Sequence, residues 1–128
     1  MPNKLNKILL VDDDEIVSEF AVMIMEGSGF EVLYCDSGAK ALEEAVAFDP
    51  QLILLDVIMP GMEGPEVLQE LRKIPETSST PVIFLTGKAN PEDEKKYMGM
   101  GALGLIAKPF EPNTLCDKIN ALWEKSSG

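Results

Sequence analysis

The chain has 128 residues, 45% hydrophobic and 26% charged, and carries a net charge of −11. That size suits one domain with a full core, and the acidity argues against a nucleic-acid-binding surface. Histidine is absent and Cys35 and Cys116 are the only cysteines, which excludes Cys/His zinc sites and histidine-dependent triads.

No apolar run approaches the roughly 20 residues that span a bilayer. Met1-Pro2-Asn3-Lys4 leads into the first strand with no signal-peptide h-region, so a cytoplasmic setting is expected. In such a reducing setting both cysteines are expected to be free and packed.

The first strand, about residues 7–11, runs into Asp12-Asp13-Asp14. Ile16, Val17, Phe20 and Ile24 then recur at helical spacing, and Gly27 and Gly29 close that helix. A second strand, 30–35, precedes Asp36-Ser37-Gly38, which opens a helix bearing Ala41, Leu42, Ala45 and Val46. The third strand, 52–55, is an aliphatic run followed at once by Asp56. Pro65 stands at a first-turn position before Val67, Leu68 and Leu71. The fourth strand, 82–86, ends on Thr86, and Asn90-Pro91-Glu92-Asp93-Glu94 reads as a cap, a proline and an acidic first turn. The fifth strand, 103–107, is followed by Lys108-Pro109, and the last helix carries Leu115, Ile119, Leu122 and Trp123.

The strands are short, aliphatic and poorly alternating, as parallel strands covered on both faces are. Their regular alternation with helices predicts an α/β fold: a doubly wound parallel sheet with helices on both faces, in a single domain over 1–128 with its core at about 7–124. Ligands of such sheets bind beyond the carboxyl ends of the strands. Those ends carry Asp12, Asp13 and Asp14, then Asp56, Thr86 and Lys108. Taken singly, Asp14 reads as a helix N-cap, Thr86 as an ordinary strand-end residue and Lys108 as a solvated lysine. Together they supply carboxylates, a hydroxyl and an ammonium. A carboxylate can act as nucleophile towards phosphorus, with a hard oxygen-liganded cation and a lysine around the transferring group. No P-loop or G-x-G-x-x-G motif is present, so nucleotide binding has no support.

These residues resemble the receiver domains of two-component response regulators, the chemotaxis-regulator-like fold. The likeness runs from about residue 7 to 123. It rests on Leu9-Leu10-Val11-Asp12-Asp13-Asp14, on Leu54-Leu55-Asp56-Val57-Ile58-Met59-Pro60-Gly61-Met62-Glu63-Gly64, on Leu85-Thr86-Gly87 and on Ala107-Lys108-Pro109-Phe110. The resemblance implies a (βα)5 flavodoxin-like fold with strand order 2-1-3-4-5. It implies Asp56 as phosphoacceptor, fed by a sensor histidine kinase or a histidine phosphotransfer protein. Asp13 would be a direct ligand of Mg²⁺ (or Mn²⁺) and Asp12 a ligand largely through water. Asp56 and the backbone carbonyl of Ile58 would complete the protein ligands. Lys108 would pair with the phosphoryl group, Thr86 would hydrogen-bond it and move inward, and Gly87 would offer a backbone N–H. The Lys108–Pro109 bond would be cis. The signal would leave through the fourth helix, fifth strand and fifth helix, including Tyr97, Lys95 and Lys96, to an effector protein or a fused output domain.

The family often keeps Tyr or Phe where this chain has Leu105, which is either a plain packing residue or a departure that weakens the coupled switch. Ile58 and Lys88 occupy positions that tune hydrolysis in the family, and apolar Ile58 is expected to shield the phosphoryl group. Two rival readings are an Asp-nucleophile phosphatase or phosphotransferase and a receiver-like interaction module that is not phosphorylated. The first needs a second acid two residues after the nucleophile, where Ile58 stands.

Overall fold

The computed structural model describes residues 4–87 and 90–126. Lys88, residues 1–3 and residues 127–128, and with them the expectations placed there, lie outside the described residues. Five parallel strands alternate with five α-helices: β1 Lys7–Val11, α1 Glu15–Gly27, β2 Glu31–Cys35, α2 Gly38–Phe48, β3 Leu52–Asp56, α3 Gly64–Lys73, β4 Val82–Thr86, α4 Pro91–Gly99, β5 Gly104–Ala107 and α5 Leu115–Ser126. A short 3-10 turn, Pro75–Thr77, follows α3 and was not legible in the sequence.

The sheet order is β2-β1-β3-β4-β5, as expected. Successive residues of each strand face opposite layers. In β1, Leu9 and Val11 join the core against α2, α3 and α4, while Ile8 and Leu10 join the core against α1 and α5. β3 and β4 are buried along their whole length, which explains their near-continuous apolar runs. β3 extends one residue beyond expectation, because Asp56 pairs in register with Leu85. The carboxylate therefore stands on a rigid strand and not on a loop.

The helix caps were legible. Asp14 accepts from the Val17 N–H, Ser37 from Lys40 and Asn90 from Asp93, each relieving a donor that the helix leaves unpaired. The Lys108–Pro109 bond is cis, as the resemblance implied. Cys35 and Cys116 are free, the first buried and the second partly so.

Two details of the helices were not legible in the sequence. On α1 the stripe of Ile16, Val17, Phe20 and Ile24 marks the helix but not its buried face. The residues buried there are Ser18, Ala21 and Met25, while Ile16 is 82% and Phe20 48% exposed. Small Ser18 and Ala21 let the helix lie close to the sheet with Met25 fully buried beside them, while Ile16 and Phe20 are left outside. On α4, Tyr97 belongs to no exposed face: it is 8% exposed, and its ring lies 5.1 Å from that of Phe84.

Candidate functional site

The carboxyl edge of the sheet brings the expected residues together. Asp12 follows β1, Asp56 ends β3, Thr86 ends β4 and Lys108 follows β5. An open cleft of about 680 Å³ lies over that edge, lined by Asp13, Asp56, Ile58, Thr86, Gly87 and Lys108 among others. Asp12, Asp56 and Thr86 are buried, whereas Asp13 is exposed.

Lys108 joins the two central acids. Its Nζ lies 2.9 Å from Asp12 Oδ2 and 3.4 Å from Asp56 Oδ2. Its backbone N–H donates to the Thr86 carbonyl at 2.8 Å, which ties the base of the lysine to the strand that ends in the threonine. Burial acts to lower the Lys108 pKa, but the hydrogen bond and charge of Asp12 and the charge of Asp56 outweigh it and raise the value. Burial, then the charge of Asp12, pushes the Asp56 carboxyl up to about 7, with Lys108 pulling the other way. Burial and the neighbouring acid together thus outweigh what one ammonium offsets.

One carboxylate oxygen from each of Asp12, Asp13 and Asp56 lies within 4.8 Å of the others. An all-oxygen set with surplus negative charge fits a hard divalent cation and gives a soft metal no sulfur or imidazole. The loop after β3 is held in place by the Gly64 N–H donating to the Val57 carbonyl at 2.9 Å. A Cβ on Gly64 would strike the Asp56 carbonyl oxygen, so the glycine permits the close approach that seats the acid.

Ile58 lines the cleft with its side chain 71% exposed. Leu105 sits opposite Phe84 in the sheet and packs, partly buried, against the core that contains Phe84 and Tyr97. Sequence reasoning did not place Glu63, Asp93 or Tyr97 in the cleft wall, where all three stand. It also passed over Tyr34, whose hydroxyl donates to the Asp12 backbone carbonyl at 2.7 Å. Inside an apolar strand, only the pairing register reveals such a reach.

Fold and cleft together define a class: a doubly wound α/β module with an acidic, lysine-bridged site at the carboxyl ends of its strands. The family model described as the response regulator receiver domain matches residues 8–120, and the chain belongs to that family, the receiver modules of two-component signalling. The family is one of signalling domains rather than enzymes. The chain is 38% identical to a probable transcriptional regulator, ycf29, of Pyropia yezoensis over 91% of its own length and 52% of that protein. It is 32% identical to the cell cycle response regulator CtrA of Brucella ovis, over 95% of this chain and 52% of that one. It spans about half the length of these curated relatives. Among solved structures it resembles the chemotaxis protein CheY4 of Vibrio cholerae, with a TM-score of 0.86 and 30% identity over 93% of this chain and 99% of that one. No helix among the described residues is long and apolar enough to cross a membrane.

Proposed function

We propose that this chain, as a single receiver domain, accepts a phosphoryl group on Asp56 from a phosphohistidine of a sensor histidine kinase or histidine phosphotransfer protein. The observation that carries this reading is the buried Asp56 carboxylate, opening on the cleft with Lys108 Nζ at 3.4 Å and two further acids beside it. A carboxylate oxygen of Asp56 attacks phosphorus, an O–P bond forms as the donor's N–P bond breaks, and the departing imidazole takes up a proton. Asp12, Asp13, Asp56 and the Ile58 carbonyl are the groups that would hold Mg²⁺ (or Mn²⁺). The cation, when bound, neutralises charge on the phosphoryl oxygens.

Lys108 then turns from Asp56 to a phosphoryl oxygen while keeping Asp12, and the Thr86 hydroxyl and Gly87 N–H serve the remaining oxygens. Phosphorylation shifts the conformational balance only through contacts made better in one state. Thr86 and Lys108 supply them, since both sit on the β4–β5 edge beside α4. Leu105 brings no ring to this edge; the aromatic group in the cleft wall is Tyr97. The changed surface of α4, β5 and α5 is read by an effector protein or a fused output domain. The setting is cytoplasmic, and the acidic domain itself engages neither nucleic acid nor membrane.

A donor protein has to reach over the cleft. Exposed Ile16 and Phe20, with Pro109 and Phe110, form an apolar surface that shares Lys108 with the cleft. That surface offers an apolar helix of the donor a place to rest beside Asp56.

Incubation with acetyl phosphate and Mg²⁺ tests the reading: the intact mass should rise by one phosphoryl group, and Asp56→Asn should abolish the gain. A wild-type chain whose mass does not change is instead an interaction module outside the phosphorelay.

A further inference from the structure

Tyr34 lies on the edge strand β2, opposite Leu10 of β1. Its ring packs with the core against α1 and α5, and its hydroxyl reaches the Asp12 carbonyl at 2.7 Å. The next residue, Cys35, accepts the Asp12 N–H on its carbonyl at 3.2 Å. Two successive residues of β2 therefore hold the two peptide groups that flank Asp12. The second of these peptides joins Asp12 to Asp13. Lys108 fixes the Asp12 carboxylate, but Asp13 is exposed and its side chain has no hydrogen bond or ion pair among the described residues. Asp13 is thus placed through its two peptides: Tyr34 holds the one before it, and the Asp14 N–H of the one after it donates to Asp12 Oδ1 at 3.0 Å.

The fully buried Ser18 hydroxyl has no hydrogen-bond partner among the described residues, so it does not replace Tyr34 at the Asp12 carbonyl.

We infer that Tyr34 is a positioning residue for the cation site: its hydroxyl pins the Asp12–Asp13 peptide and so pre-organises both carboxylates. This inference rests on the reading that Asp12, Asp13 and Asp56 hold a divalent cation. A peptide already pinned in the unloaded chain loses less freedom on binding, and groups that orient ligands govern metal affinity for that reason.

The test is a Mg²⁺ titration of the whole chain, followed by calorimetry and by ¹⁹F resonances of 3-fluorotyrosine. Tyr34 and Tyr97 are the only tyrosines, so two resonances arise and Tyr97→Phe assigns them. Mg²⁺ should move the Tyr34 resonance. Tyr34→Phe keeps the ring and should bind Mg²⁺ about threefold to tenfold more weakly, the range that one net hydrogen bond spans. Ser18→Ala, which leaves the Tyr34–Asp12 bond intact, should bind as the wild type does. Equal Mg²⁺ affinity in wild type and folded Tyr34→Phe overturns the positioning role alone. A wild-type chain that takes up no Mg²⁺ overturns both that role and the cation reading. Should Tyr34→Phe not fold, the wild-type resonance decides: a signal unmoved at Mg²⁺ saturation overturns the inference.

Discussion

Asp56→Asn should stabilise the fold, and by an amount that depends on pH. Asp56 is 6% exposed, and burial with the neighbouring Asp12 charge lifts its carboxyl from 3.8 to about 7. The folded chain thus binds the Asp56 proton more tightly than the unfolded chain. Stability from this group is present below the unfolded value and is lost as pH rises from about 4 through about 7. Each tenfold difference in proton affinity is worth about 1.4 kcal/mol, so ionised Asp56 costs the fold on the order of 4 kcal/mol near pH 8. Near pH 4.5 the cost falls to about 1 kcal/mol, because the folded carboxyl keeps its proton there. Asparagine has the same shape without the charge. Urea unfolding of wild type and Asp56→Asn at the two pH values measures the difference directly. The variant should gain little at the lower pH and several kcal/mol at the higher, with similar m-values. An equal gain at both, or a loss near pH 8, would refute the claim that Asp56 is held as a strained charge. Mg²⁺ added near pH 8 should narrow the gap by stabilising the wild type more than the variant.

Two further substitutions probe the surroundings of Asp56. Gly64→Ala drives a methyl group into the Asp56 carbonyl and should cost about 1–3 kcal/mol of stability in urea unfolding; unchanged stability would mean the loop yields freely. Ile58→Asn replaces an exposed apolar cleft residue with one able to orient water, and should speed loss of the phosphoryl group in a filter-based decay assay. An unchanged decay rate would remove Ile58 as a shield.

Much of the site could be read from the chain because each residue sits at the carboxyl end of a strand. Asp12, Asp56, Thr86 and Lys108 follow or end short, mostly apolar runs, and a doubly wound sheet has one edge where such ends converge. The α1 face was less legible. A periodic stripe marks a helix, but small residues decide how near it lies to the sheet, and Ser18 and Ala21 displaced Ile16 and Phe20 from the core. Tyr97 reads as surface because its helix is polar throughout the first two turns, yet it buries its ring on Phe84. Tyr34 was hidden for another reason: its role depends on the β1–β2 register, and a pairing between residues 22 apart leaves no local trace.

Mapping the modified residue is the most direct test of the phosphoryl chemistry proposed for this cleft. After treatment with acetyl phosphate and Mg²⁺, borohydride reduction converts an aspartyl phosphate to homoserine, which peptide sequencing by mass spectrometry locates. Homoserine at position 56 alone is the expected result. Homoserine at Asp12 or Asp13, or at no position, would contradict the assignment of Asp56 as the acceptor.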